Sequence, residues 1–467
     1  MNRRSFLGRA AAAAAVSCLT PRFLPGQENA PPLQAKLTVD EAITLATVPR
    51  DFVGLSYESA QLADPAFFAA GNKELIALCR ELSHDGVLRI GGGTSAYTVF
   101  TTREPAGPPP FDAFGPDTSK NVNVDTPVTP ASLRNLRAFL DATNWRCLYG
   151  LNIARGPIPR AVEEASYVQR ILGPRLIAFQ LGNEPDAWRK RFRPATWSYP
   201  DYWKEWWAAR AAIVKRVPLA KFAGPDTSNK MAYVTGFAAD VKEHGLHDVV
   251  MLTSHYYAMG PAGAKGMTID RLLSPDPKLD YLLKTAMAAA HNAGIPYRMS
   301  EGNSCWNGGE PGVSNTLASA LWVADVMLHF AAAGCVGVNL HGGGYGYYTP
   351  IAGNLKNGFV PRPEFFGMEL AKRFVGADIE LSNLACANDR VRAYAGRKAG
   401  VPMLLAINKT DHPVVMQTPM RRASQQWLLS GPSIAAKQGV TLTQSRATAF
   451  HDGTLHLAPY SAVLIEE

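Results

Sequence analysis

The sequence predicts a (β/α)8 barrel of the TIM type followed by a β-sandwich. Three observations lead there. Short apolar runs alternate with helical patterns between residues 49 and 375. Several of those runs end on a polar or charged residue, and barrel enzymes keep their chemistry at the C-terminal ends of their strands. From about residue 376 the helices give way to short alternating strands, the signature of a sandwich. A doubly wound open sheet is the alternative architecture for the first part.

Taken in order, residues 1–27 read as a twin-arginine signal peptide. Asn2-Arg3-Arg4-Ser5-Phe6-Leu7-Gly8 precedes an apolar stretch from Ala10 to Leu19, which is too short to span a bilayer. An ordinary N-terminal helix is the plainer reading. The signal implies export by the twin-arginine route to the periplasm or beyond the cell, with no membrane association after cleavage. Residues 33–48 alternate like a strand outside the barrel and are expected to join the sandwich.

The first barrel strand is Phe52 to Glu58, followed by a helix with Leu75, Leu78, Cys79 and Leu82 at helical spacing. Val87 to Gly93 is the second strand. Residues 101–130, rich in Pro, Gly and Asp, form a long loop of the kind that shapes binding sites. A helix marked by Leu133, Leu136 and Leu140 leads to the third strand, Cys147 to Asn152. Val162 to Leu172 is helical, and Leu176 to Leu181 is the fourth strand. Pro185, which cannot donate to a ladder, stops it just after Asn183 and Glu184.

An aromatic and arginine-rich loop, 186–199, follows, and Pro200 opens a helix with Trp203, Trp206 and Trp207. Lys221 to Asp226 is strand five and Val249 to Tyr257 strand six. The helix Leu279 to Ala293 precedes strand seven, Tyr297 to Gly302. The apolar helix Leu317 to Ala333 precedes strand eight, Gly337 to His341, and Phe365 to Val375 closes the barrel. Sandwich strands are expected at Val391–Tyr394, Met403–Ile407, Trp427–Leu429, Val440–Leu442, Thr454–Leu457 and Ser461–Ile465.

Composition narrows the function. With 47% hydrophobic and 18% charged residues, the 467-residue chain can bury a sizeable core. The formal charge is +8, but the signal holds four arginines and no acid, so the remainder carries +4. Without a Lys/Arg block, nucleic acid is not an expected partner. Beyond the signal, Cys79, Cys147, Cys305, Cys335 and Cys386 lack metal spacing. One disulfide is possible after export. His244 and His247 have no matching ligands and read as surface residues.

Two strand ends place carboxylates across the barrel mouth: Glu184 on strand four and Glu301 on strand seven. Two carboxylates flanking a bond are what glycoside hydrolysis requires. Glu184 is read as the acid/base and Glu301 as the nucleophile. A strand-end turn carboxylate bridged to an arginine is the plain alternative for Glu184. Asn183 can hold a sugar 2-hydroxyl. His255 and Tyr257, ending strand six, are within reach of Glu301 and the substrate, or are a core histidine and a packed aromatic. Glu58 is placed to accept sugar hydroxyls and Arg89 to orient a catalytic carboxylate, unless the two form a structural ion pair. Trp188, Trp197 and Trp306 follow catalytic strands and can stack on sugars, whereas Trp203, Trp206 and Trp207 read as core.

Gly342 to Tyr348 is a glycine- and tyrosine-rich loop. Its backbone N–H groups can form an anion nest, with Gly343, Gly344, Tyr345, Tyr347 and Tyr348 around a uronate carboxylate, or it is a flexible turn. His-Gly-Gly-Gly also occurs in esterases, but the chain has no Gly-x-Ser-x-Gly.

The set resembles glycoside hydrolase family 79, in clan A, which includes heparanase and β-glucuronidases. The pieces are Val53 to Glu58 with Ala63-Asp64-Pro65, Leu88-Arg89-Ile90-Gly91-Gly92, Gln180 to Pro185, Ser254 to Tyr257, and Ser300-Glu301-Gly302. The resemblance spans roughly 33–467 and implies a retaining mechanism with Glu184 as acid/base and Glu301 as nucleophile. It implies that Glu58 binds the terminal sugar, where heparanase has Asp, and that the glycine-tyrosine loop meets the substrate carboxylate. No excised linker between barrel halves is evident, which favours exo over endo action.

The expected function is a retaining exo-β-glucuronidase acting on a glucuronic-acid-containing glycan or glucuronide, without metal or organic cofactor. An endo-β-glucuronidase, a β-glucosidase or β-xylosidase, and a non-catalytic glycan-binding protein are the alternatives. The expected domains are the signal (1–27), the outlying strand (33–48), the barrel (49–375) and the sandwich (376–467).

Overall fold

The computed structural model describes residues 31–103, 124–343 and 346–467. Residues 1–30, where the sequence leads us to expect a signal peptide, residues 104–123, and Gly344 and Tyr345 lie outside the described residues, and with them the sequence readings that rest on them.

Eight parallel strands close into a barrel: Val53–Glu58, Val87–Gly91, Arg146–Leu151, Leu176–Leu181, Phe222–Thr227, Val249–Tyr257, Tyr297–Asn303 and Gly337–Gly342. The eighth pairs with the first, Val338 opposite Val53, so the sheet has no free edge. The barrel and sandwich are those the sequence predicts.

Strand alternation sorts the side chains. On strand two, Leu88 and Ile90 pack outward against the helices, while Val87 and Arg89 point inward. Val87, Leu148, Ala178, Ala223 and Met251 form an apolar plug inside the barrel. Arg89 and Gln180, each two residues further along its strand, lie above that plug toward the strand C-termini.

The helices carry the expected end signals. Thr129 accepts from Ser132 N–H and Pro130 opens Pro130–Thr143. Ser198 and Asp201 form a capping box on Tyr199–Arg216. Helix Met231–Glu243, between strands five and six, goes beyond the sequence reading; it buries Met231, Val234, Phe237, Ala238 and Val241 on one face.

The sandwich is a ten-stranded sheet folded over its own core. Strand Leu33–Thr47 lies between Asp378–Cys386 and Val414–Gln417, neither of which was expected from the sequence. Met403 to Ile407 is apolar throughout because both its faces are covered. Leu404 and Ala406 enter the sandwich core, while Met403, Leu405 and Ile407 join the core shared with the barrel.

Helix Leu317–Ala332 is buried almost all round for the same reason. Its first N–H groups, on Leu317 and Ala318, donate to the carbonyls of Ala436 and Ile434. Asp325 in its middle accepts from Lys409 Nζ at 2.7 Å and Tyr394 Oη at 2.6 Å, both in the sandwich. Gly367 lets the last barrel helix approach, since a Cβ there would meet Ala320 O at 2.1 Å.

All five described cysteines are free thiols, so the possible disulfide is not formed. Cys79, Cys147, Cys305 and Cys335 are buried and Cys386 is half-buried.

Candidate active site

Arg89 is the centre of the site. A guanidinium has five N–H donors in a fixed fork. Here Nε donates to Gln180 Oε1 at 3.0 Å, and Nη1 to Ser56 Oγ at 3.1 Å and Glu301 Oε2 at 2.5 Å. Nη2 donates to Asn183 Oδ1 at 2.7 Å and Asp226 Oδ2 at 2.6 Å. All five are used, so Arg89 orients carboxylates and has no donor left for a ligand. The Glu58–Arg89 ion pair considered from sequence does not form.

Glu301 closes strand seven and is almost fully buried. Tyr257 Oη donates to its Oε1 at 2.8 Å. Burial pushes its carboxyl up, but the charges of His341, His255 and Arg89 and the Tyr257 hydrogen bond more than reverse this, to about 2.

Glu184 has a left-handed backbone, φ +47°, held by its N–H to Asp226 O at 2.9 Å. Its side chain is 29% exposed. Burial raises its proton affinity, His255 opposes this, and the charges of Glu301 and Asp186 add to the rise. The two glutamates thus bind protons with opposite tendencies.

His255 is buried between them. Its Nδ1 lies 3.0 Å from Glu184 Oε1 and 3.9 Å from Glu301 Oε1, and its Nε2 lies 3.1 Å from Asp226 Oδ1. The sequence reading paired it with Glu301; the nearer carboxylate is Glu184. Burial pulls the imidazole down, but Glu301 and Asp226 raise it to about 10.

One ligand atom from each of Glu184, His255 and Glu301 lies within 4.8 Å of the others. A divalent cation there would have to displace the His255 proton and compete with Arg89 for Glu301. The donor set suits protons better than a metal.

Glu58 lies at the wall. Its Oε2 accepts from Thr94 N at 2.8 Å and Thr94 Oγ1 at 2.5 Å, and its Oε1 is 3.5 Å from His341 Nε2. Asn183, held through its Oδ1, has no acceptor for its Nδ2 among the described residues.

The glycine-tyrosine loop differs from expectation. Gly343 N–H donates to Thr349 Oγ1 at 2.8 Å, and the Tyr347 and Tyr348 N–H groups to Gly308 O at 2.5 and 3.3 Å. Those N–H groups hold the loop together and do not form an open anion nest. The Tyr348 ring packs between Tyr257 and His341, 6.5 and 5.8 Å between centroids, so it borders the site.

The tryptophans also divide. Trp188 and Trp197 are buried and stack on each other at 5.8 Å; Trp188 Nε1 donates to Asn183 O and Trp197 Nε1 to Pro185 O, both at 2.8 Å. They brace the Glu184 turn from behind and cannot stack on a sugar. Trp306 is 45% exposed. Trp206 is core, while Trp207 is 37% exposed beside His244. His244 and His247 are exposed, as expected.

Sequence reasoning missed Asp226, His341, Gln180, Ser56 and Ser300 as members of the site. Gly224-Pro225-Asp226 had the same design as the catalytic strands, a polar residue at a strand end, and was the available signal.

Comparisons with known proteins bear on the fold and the enzyme class. Residues 388–465 match the model of the D-apionate lactonase C-terminal immunoglobulin-like domain. A β-glucuronidase of Aspergillus niger is 24% identical over 387 residues, covering 74% of this chain and 69% of that protein. A β-glucuronidase of Neurospora crassa is 25% identical, and the chain spans about half of it, 52%. Among solved structures, a 4-O-α-L-rhamnosyl-β-D-glucuronidase from Fusarium oxysporum superposes with TM-score 0.71 at 17% identity, covering 93% of this chain and all of that one. An arabinofuranosidase of glycoside hydrolase family 51 from Xanthomonas axonopodis pv. citri superposes at 0.69 with 14% identity, covering 93% of this chain and 99% of that one. The chain is a glycoside hydrolase on a clan A-type barrel with a C-terminal immunoglobulin-like sandwich.

Proposed function

We propose that this chain is a retaining exo-β-glucuronidase of the family 79 type, with Glu184 as acid/base and Glu301 as nucleophile. One observation carries the reading: two carboxylates with oxygens within 4.8 Å have opposite proton affinities. Retaining enzymes hold their carboxyl groups about 5–5.5 Å apart, whereas inverting ones leave room for a water, at about 6.5–9.5 Å.

In the first half-reaction Glu184, protonated, donates to the leaving oxygen as Glu301 attacks the anomeric carbon. The C–O bond to the aglycone breaks and a glycosyl ester to Glu301 forms. In the second, Glu184, now ionised, takes a proton from water, whose oxygen displaces Glu301. Arg89 and Tyr257 hold Glu301 ionised and aimed. Asn183 Nδ2 is available to the 2-hydroxyl and Glu58 to other hydroxyls of the terminal sugar. No metal or organic cofactor has a step.

The glucuronide follows from the named activities of the relatives. With the described loop N–H groups engaged internally, carboxylate recognition falls to phenolic groups such as those of Tyr347 and Tyr348. Export rests on the twin-arginine motif in residues 1–27.

The test is hydrolysis of an aryl β-glucuronide beside the matching β-glucoside and β-xyloside, with Glu301→Gln as control and NMR detection of the first anomer released. Turnover of the glucuronide with β-anomer release supports the proposal. Preference for the neutral sugars removes the uronate assignment, and release of the α-anomer removes retention.

A further inference from the structure

We infer that Asp226 is a positioning residue, which keeps both nitrogens of His255 protonated so that the charged imidazole joins Glu184 and Glu301 into one proton-sharing unit. The inference rests on the roles proposed for the two glutamates and extends them to a residue with no assigned part in the chemistry.

Asp226 is buried, 1% exposed, at the end of strand five. Its Oδ1 accepts from Gln180 Nε2 at 2.5 Å and Ser300 Oγ at 2.6 Å, and its Oδ2 from Arg89 Nη2 at 2.6 Å. Surrounded by donors, it is an anion, and its pKa is held well below the usual carboxylate range: burial opposes this, but Arg89 and His255 outweigh burial. Its backbone, φ +61°, turns its carbonyl to the Glu184 N–H. One residue therefore reaches the acid/base through its main chain and through His255, and the nucleophile through Arg89.

His255 sits between carboxylates on both ring nitrogens. A neutral imidazole has one N–H, so one of its nitrogens would set a lone pair against a carboxylate oxygen at about 3 Å. Two protons remove that conflict. Nε2 lies 3.1 Å from Asp226 Oδ1 without the alignment of a hydrogen bond, so the contact acts through charge.

Other charges act on the same groups. Asp186 follows Glu184 on its turn and raises Glu184 further. His341 Nδ1 stands 3.7 Å from Glu301 Oε2, and Glu58 faces the other side of His341. Tyr257 and Tyr348 border Glu301, and Tyr202 Oη donates to Pro225 O at 3.2 Å beside Asp226. Among these, His255 and Arg89 are the cations in contact with Asp226, and only His255 also contacts Glu184.

The direction of a pH shift separates this role from simple charge removal. Taking away one buried anion lowers the proton affinity of nearby carboxylates. Taking away the His255 proton as well raises it, because His255 itself faces Glu184 at 3.0 Å and Glu301 at 3.9 Å. The experiment is Asp226→Asn in the full chain, with two readouts. Nitrogen-15 NMR of histidine-labelled enzyme follows the His255 titration without substrate. The pH profile of kcat/KM on an aryl β-glucuronide follows the glutamates.

The expected result is loss of the His255 proton about 4 pH units lower, inside the working range, with the alkaline limb of the profile, set by Glu184, moved up by about 1 unit. A His255 that stays charged as in the wild type, or an alkaline limb unmoved or moved to acid, overturns the inference. If Asp226→Asn does not fold, His255→Gln decides: the same alkaline shift supports the inference and an unshifted profile overturns it. Wild-type enzyme without turnover of any aryl glycoside would remove the proposed function, and the NMR readout would still judge the Asp226–His255 pair.

Discussion

Tyr257 donates its hydroxyl to Glu301 Oε1 at 2.8 Å, on the oxygen opposite the one Arg89 grips. Each oxygen of the proposed nucleophile thus has one fixed donor, which orients the carboxylate and favours its ionised form. Tyr257→Phe removes one charge-assisted hydrogen bond, worth about 1.5–3 kcal/mol. The expected outcome is a fall in kcat/KM of roughly ten- to a hundredfold with the acidic limb of the pH profile moved up, as Glu301 becomes easier to protonate. An acidic limb left in place would disprove the hydrogen bond's electrostatic role.

Arg89→Lys keeps the charge but replaces five donors by three. Acceptors on Gln180, Ser56, Glu301, Asn183 and Asp226 cannot all be served. We expect a loss of about 3 kcal/mol or more in stability and a larger effect on kcat than on KM. Denaturant unfolding and steady-state kinetics on the same preparation check both; wild-type values for either would contradict the assigned network.

Stability should fall away on both sides of neutrality, for opposite reasons. Glu301 drops from 4.5 to about 2 on folding, so its contribution is present above 4.5 and is lost as pH falls toward 2. His255 rises from 6.5 to about 10, so its contribution is present below 6.5 and is lost as pH rises toward 10. Glu184, with its raised proton affinity, acts against the Glu301 trend. The melting temperature against pH should therefore decline through the alkaline window, and His255→Gln should flatten that decline. A variant with the wild-type slope would locate the alkaline loss elsewhere.

Glu184→Ala should spare aryl glucuronides with good leaving groups more than poor ones, since only the latter need a proton. Azide, small and needing no general base, should then restore deglycosylation and yield the β-glycosyl azide, seen by NMR. No rescue, or an α-azide, would argue against Glu184 as acid/base in a double displacement.

Asp325 ties the helix Leu317–Ala332 to the sandwich through Lys409 and Tyr394; against burial, Lys409, Arg392 and Tyr394 hold its carboxyl down to about 2. Asp325→Asn leaves the Lys409 ammonium buried without its counter-charge and should cost about 3–5 kcal/mol. Calorimetry reads this as a lower melting temperature; an unchanged one would mean that the domains do not depend on this pair.

Much of this protein is determined by local pattern. The apolar runs that became the barrel strands are short and bounded by turn residues, and Glu184, Glu301, Glu58, Arg89, His255 and Tyr257 are recognisable because each lies within three residues of the C-terminal end of one of them. Side-chain direction follows from the period of two once a strand is assigned. What neighbours each polar residue does not follow locally. Asp226 and His255 meet because strands five and six are adjacent in a closed sheet, and Arg89 reaches Glu301 across the barrel, 212 positions away in sequence. Trp188 and Trp197 look like sugar platforms in sequence but turn inward, because the Glu184 turn needs an apolar brace. The glycine loop looks like an anion nest, yet Gly308 and Thr349, held close by tertiary packing, take up the N–H groups of Gly343, Tyr347 and Tyr348. Sequence alone named the candidate carboxylates and their strand-end neighbours; barrel closure, register and burial decided which of them touch, and so which is placed to hold a proton.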